Sequence, residues 1–125
     1  MMESMTMPLS SLDSVVCTQT LDKLSEDLGP DYTSRFVVQF CSMWPTRLKR
    51  LEEALRSCNS DAGEDAALSL KSGASMVGAR ELAELAEWLH GAFRDKLVDV
   101  QRKLIAMIRE VGLRSIQVLS TMKIG

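Results

Sequence analysis

The chain contains 125 residues, of which 46% are hydrophobic and 26% charged, and its formal net charge at neutral pH is −2. This length and composition are typical of one soluble globular domain and exclude a disordered chain. The near balance between 15 basic and 17 acidic residues argues against a nucleic-acid-binding protein, which would carry a basic surface. The low aromatic content of 5%, together with abundant Leu, Ala and Met, favours an all-helical protein.

Cysteine usage and hydropathy bear on cofactors and location. Cys17, Cys41 and Cys58 are odd in number and widely spaced, so they predict neither a disulfide framework nor a zinc site. We recognise no metal-ligand cluster or phosphate-binding loop and expect neither a metal nor another cofactor. No run of about 18 apolar residues is present, and the first residues lack the features of a signal peptide. We therefore expect a cytoplasmic protein that does not bind membranes.

The first part of the chain predicts a leader and two helices. Residues 1–8 mix Met, Ser, Thr and Pro and are expected to form a flexible leader, whereas residues 9–125 are expected to form one domain. Helical spacing of apolar residues predicts helix from Leu9 to Leu28, in one piece or in two. Gly29-Pro30 ends this helix and starts a second one, which carries a single apolar stripe from Phe36 to Leu55.

A third helix is predicted after a polar loop at residues 59–63. Asp61 is a candidate N-cap, and Glu64 three residues later would complete a capping box. The helix should extend to Val77, where Gly78 ends it.

Two more helices are predicted in the remaining chain. The fourth begins after Ala79, and Leu89-His90-Gly91 resembles its end. The last begins near Arg94 and is expected to be interrupted at Gly112. Because no strand pattern occurs and the connections are short, the sequence predicts an all-α, antiparallel four-helix bundle with an additional N-terminal helix.

The third helix has two different faces at 100° per residue. One face is apolar and mostly small, as expected for a core stripe, and consists of Ala67, Leu70, Ala74 and Val77. The other face is polar except for one leucine, and consists of Glu64, Leu68, Lys71, Ser72 and Ser75. The spacing therefore predicts that the Leu68 side chain points outward. An isolated exposed leucine is common and has no meaning by itself.

The segment from Ala67 to Ala79 resembles the signature of histidine-containing phosphotransfer (HPt) domains. In that family, Ala-His-x-Leu-Lys-Gly leads into small residues and then Gly-Ala; here the sequence reads Ala67-Leu68-Ser69-Leu70-Lys71-Ser72 and later Gly78-Ala79. The resemblance extends over most of the chain, since Phe40 to Leu55, with its mid-helix proline, is similar to the family's second helix. The sequence departs at two positions: Leu68 stands where the family carries its phosphorylated histidine, and Ser72 stands where glycine is usual.

The resemblance implies an HPt-type bundle that docks onto a response-regulator receiver domain or a hybrid histidine kinase. It places the partner on the outward face of the third helix: Glu64, Leu68, Lys71, Ser72 and Ser75. Lys71 would occupy the position of the family's phosphoryl-contacting lysine, and Gly78 would lie in the following helix turn. Leucine has no nitrogen lone pair to attack phosphoaspartate, so phosphotransfer is not expected and no catalytic residue is assigned. His90, the only histidine, is expected to have a structural role near a helix end.

Three functions remain open at this point. The first is a pseudo-HPt protein that binds receiver domains without accepting phosphate, as a competitor or a scaffold. The second is a genuine HPt phosphotransfer protein whose histidine has been replaced by Leu68. The third is a helical structural or oligomerisation adaptor, with a homodimer formed through the last helix, Leu97 to Leu119. An independent enzyme is the least expected, because the sequence shows no nucleophile–base pair.

Overall fold

The computed structural model describes residues 16–122. Within this part of the chain, every regular element is an α-helix. The helices are α1 (Thr18–Leu28), α2 (Pro30–Ser57), α3 (Ser60–Met76), α4 (Arg80–Arg94) and α5 (Val98–Thr121). The predicted leader at residues 1–8, and the part of the predicted first helix before Val16, lie outside the described residues.

Helices α2 to α5 form a four-helix bundle, and α1 packs against α2 as an additional helix. Each bundle helix contacts its neighbour in the chain, and α5 returns to α2. The connections between the bundle helices are two or three residues long, which makes successive helices antiparallel neighbours. The predicted all-α antiparallel bundle is confirmed.

The core lies between the four bundle helices and draws on the apolar stripe of each one. The inner stripe of α3 is completely buried, since Ala67, Leu70 and Ala74 each have 0% exposure, and so has Val77, directly after the helix. Facing it are buried large side chains from the other helices, among them Phe40, Leu51, Leu82, Leu89, Phe93 and Ile108. Burying each such side chain contributes roughly 1.5–3 kcal/mol, so this core is the main source of the bundle's stability.

Two glycines inside helices allow neighbouring helices to approach closely. A Cβ atom at Gly63 in α3 would overlap the ring of Phe93 in α4, and one at Gly112 in α5 would overlap the ring of Trp44 in α2. The predicted interruption of the last helix at Gly112 is therefore wrong. The helix continues through Gly112 because this glycine makes room for a buried tryptophan.

The start of α3 differs from the predicted capping box. The side chain of Asn59 caps the helix, with its Oδ1 accepting a hydrogen bond of 3.1 Å from the Ala62 backbone N–H. Asp61 instead lies in the first turn, where its carboxylate is favoured by the positive end of the helix dipole. The prediction of Asp61 as N-cap is wrong, because the helix begins before Asp61, which leaves Asn59 to accept the free N–H.

The end of α4 also lies later than predicted. The helix passes through Leu89-His90-Gly91 and ends at Arg94, and Lys96 then adopts a left-handed backbone conformation with φ of 57° before α5. Gln101 near the start of α5 donates a buried hydrogen bond of 3.1 Å from Nε2 to the Ala92 carbonyl oxygen. This bond connects the last turn of α4 to the first turn of α5.

The turn between α3 and α4 also holds the start of the described chain. Gly78 has φ of 81°, a conformation that glycine adopts without steric cost. Its carbonyl oxygen accepts a hydrogen bond of 2.6 Å from the Cys17 N–H, and a Cβ at Gly78 would collide with the Cys17 carbonyl oxygen. The turn therefore requires glycine both for its backbone conformation and for the close approach of the segment before α1.

Candidate functional site

Leu68 lies on the outward side of α3, roughly in the middle of the helix. Its side chain is 43% exposed, whereas Ala67 and Leu70 on either side of it have no exposure. This alternation follows from the helix geometry, because residues one and two positions apart point in different directions. The fold does not need a leucine at position 68 to complete its core.

The other predicted site residues surround Leu68 on the same side of α3. Together with Leu68 they form what we call the Leu68 face: Glu64, Leu68, Lys71, Ser72 and Ser75. Ser72 and Ser75 are exposed, and Glu64 and Lys71 are half-buried. The face therefore presents one apolar side chain among two small hydroxyl groups and two charged groups.

The charged residues of the Leu68 face contact α4. Lys71 Nζ lies 3.5 Å from Glu87 Oε1, and Glu64 Oε1 lies 3.4 Å from His90 Nε2. Both contacts are partly exposed, and contacts of this kind contribute about 0–1 kcal/mol. A docking partner can therefore displace them at a small cost in free energy.

Two residues of α4 belong to this site that the sequence analysis did not assign to it. Glu87 was expected only to lie on the outside of its helix, and His90 only to have a structural role at a helix end. His90 lies inside α4, with its side chain 24% exposed. Only the antiparallel packing of α3 on α4 brings these residues beside Glu64 and Lys71, which lie far from them in sequence.

On the opposite flank, α2 contributes Arg47. Its Nη1 donates a hydrogen bond of 2.8 Å to the Ser69 hydroxyl oxygen, next to Leu68 in the chain. Burial lowers the pKa of the Arg47 guanidinium, and repulsion by Arg50 lowers it further. The Leu68 face is thus bounded by α4 on one side and by α2 on the other.

Positions 68 and 69 of α3 offer no activated nucleophile. Leu68 is aliphatic, and the hydroxyl of the neighbouring Ser69 is engaged by a guanidinium, which cannot act as a base. Among residues 16–122, no three His, Cys, Asp or Glu side chains are grouped to hold a metal ion. In the same described range, no helix is long and apolar enough to cross a membrane.

Comparison with known proteins identifies a family with this architecture. The family model described as "Hpt domain" matches residues 35–121, a span that includes most of α2 and all of α3, α4 and α5. Among proteins with curated descriptions, none matches the sequence.

A solved structure shares the fold. The crystal structure of histidine-containing phosphotransfer protein B (HptB) from Pseudomonas aeruginosa PAO1 superposes with a TM-score of 0.80 at 23% sequence identity, covering 85% of this chain and 91% of the other. At this level of identity the likeness concerns the fold. Taken with the family match across the bundle helices, it shows that the chain belongs to the Hpt domain family.

Proposed function

We propose that this protein is a pseudo-HPt protein of two-component phosphorelay signalling, which binds receiver domains without accepting a phosphoryl group. Membership of the Hpt domain family supports a role in a phosphorelay. The observation that carries the rest of the proposal is the exposed Leu68 at the position where the family signature has its histidine. Phosphotransfer requires a nucleophile, and Leu68 offers none.

Leu68 would act as an apolar contact at the centre of the docking surface. Complete burial of a leucine contributes roughly 1.5–3 kcal/mol, and the 43% of the side chain that is exposed would supply part of this on binding. Ser72 and Ser75 are small enough to let a partner approach closely. The protein would then occupy a receiver domain, free or attached to a hybrid kinase, as a competitor or as a scaffold.

The test is a binding screen against the receiver domains encoded in the source genome, combined with incubation of each binder in its phosphorylated form. We expect binding without transfer of phosphate to this chain. Leu68→Asp should abolish binding, because a buried carboxylate without a partner is strongly unfavourable. Leu113→Asp is the matched control, since Leu113 is 51% exposed on α5 and does not belong to the Leu68 face.

Two results would contradict the proposal. Unchanged affinity of Leu68→Asp for every receiver that binds the wild type would show that the Leu68 face is not the docking surface. Stable phosphate on His90 would show that the protein takes part in phosphotransfer through another residue.

A second candidate function, self-association through α5, is supported by one surface. The groove between α4 and α5 exposes several apolar side chains: Trp88 at 62%, Leu97 at 49% and Val100 at 42%. Met107, two turns after Val100, is also exposed at 48%. Sedimentation of the wild-type chain separates the candidates, because a dimer without affinity for any receiver would favour the adaptor function.

A further inference from the structure

Arg47 is an arginine whose hydrogen-bonding capacity is not met within the described chain. Its Nε is buried and has no hydrogen-bond partner, and Nη1 reaches only the Ser69 hydroxyl. Arg47 takes part in none of the ion pairs between residues 16–122. A half-buried cation with unmet donors is costly to maintain, so its position calls for an explanation beyond the stability of the bundle.

The surroundings of Arg47 form a groove between α2 and α3 that continues into the Leu68 face. Its walls are mainly apolar and include Phe36, Phe40, Met43 and Met76. Ser72 lines this groove and also belongs to the Leu68 face, so a partner that covers Leu68 would reach the groove as well. Met76 is 45% exposed, which leaves apolar surface available for contact at the end of the groove.

The charged residues around Arg47 indicate which kind of chemical group would complement it. Glu64 and Lys71, on the α4 side, already have partners in His90 and Glu87. Arg50, one turn further along α2, lines a second groove, which also holds Glu53 and Asp65 and meets the first groove at Ser69. Among these charged residues, Arg47 faces apolar walls and hydroxyl groups without an acid beside it. The complement of this site is therefore a negative charge carried next to an apolar side chain.

We infer that Arg47 recognises an aspartate or glutamate of the receiver domain, whose neighbouring apolar side chain enters the groove between α2 and α3. This inference rests on the proposed function and adds the chemistry by which the partner is selected. A guanidinium suits the role because its planar array of donors matches a carboxylate. The partly desolvated setting strengthens the pairing relative to a fully exposed one.

The experiment compares the wild type, Arg47→Met and Arg47→Lys for affinity toward each receiver domain that binds, at low and at high salt. Arg47→Met keeps an apolar side chain of similar length, and we expect it to weaken binding about tenfold or more, in line with the loss of a charged hydrogen bond. Arg47→Lys should recover part of the affinity, because it restores the charge but not the planar donors. The salt dependence of binding should be smaller for Arg47→Met than for the wild type.

Two controls separate recognition from folding. Arg114→Met removes an exposed arginine on α5 and should leave affinity unchanged. The melting temperature of Arg47→Met should not fall, since the substitution removes an unmet buried donor. A charge-reversal pair should complete the assignment: Arg47→Glu should lose binding and regain it with a receiver in which the contacting acid is changed to arginine.

The outcomes distinguish this inference from the proposed function. Arg47→Met binding as tightly as the wild type, while Leu68→Asp does not bind, would overturn the role of Arg47 and leave the docking function standing. A wild-type chain that binds no receiver domain would overturn both. Equal affinity of Arg47→Met for unphosphorylated receivers, with a loss confined to phosphorylated ones, would also overturn it, since Arg47 would then recognise the phosphoryl group.

Discussion

The two sides of α3 are under different steric constraints. The inner side is built from Gly63, Ala67, Leu70 and Ala74, all of which are buried. The outer side carries Leu68, Ser72 and Ser75, all of which are exposed. On the inner side the size of each side chain is fixed by the distance to the facing helix. On the outer side the packing of the fold imposes almost no such limit on the size of the side chains.

The largest difference in stability between the two sides should appear when the same substitution is made at two leucines of α3, Leu70 and Leu68. Leu70 has 0% exposure, and Leu70→Ala should lower the free energy of unfolding by about 2–5 kcal/mol through lost burial and the remaining cavity. Leu68→Ala should change it by no more than about 0.5 kcal/mol. Urea denaturation of both variants measures this. Equal losses of stability would show that Leu68 contributes to the core.

A smaller effect is expected from adding one methyl group at glycines of α3 and α4. Gly63→Ala forces the buried ring of Phe93 to move, and we expect overpacking of about 1–3 kcal/mol to outweigh the gain in helix propensity. At Gly91 an added Cβ meets only the end of the Arg94 side chain, at 3.5 Å. Gly91→Ala should therefore stabilise the helix by up to about 1 kcal/mol. In thermal unfolding, the melting temperature should fall for Gly63→Ala and rise for Gly91→Ala. A change of the same sign in both variants would refute the close approach of α3 and α4.

The smallest effect on stability, and the largest on chemistry, is expected for Leu68→His. The side chain is exposed, so stability should change by no more than about 0.5 kcal/mol, while the variant gains an imidazole that can attack phosphoaspartate. Incubation with a phosphorylated receiver that binds the wild type should transfer label to this variant only. Leu68→Gln, which is polar but not nucleophilic, is the control. A variant that binds the receiver but takes up no label would show that more than the histidine is missing from the site.

Much of this architecture could be predicted from the sequence. The spacing of apolar residues placed Ala67, Leu70 and Ala74 in the core, because a regular helix converts sequence distance directly into direction. The resemblance to HPt domains is confirmed by the family match and the shared fold. The ends of the helices were harder to predict from the sequence. Asp61 was predicted as the N-cap, whereas Asn59 caps the helix. Both residue types serve as caps, and only the position of the first turn decides between them.

The sequence by itself determined the helices, their inner faces and the identity of the residues on the Leu68 face, because these depend on local periodicity and residue type. Only the tertiary structure decided which residues from other helices join that face. The contacts of Glu64 with His90, Lys71 with Glu87 and Arg47 with Ser69 depend on the register between packed helices. That register is set by close approaches such as Gly63 against Phe93, which involve residues far apart in the chain and leave no periodic signal in the sequence.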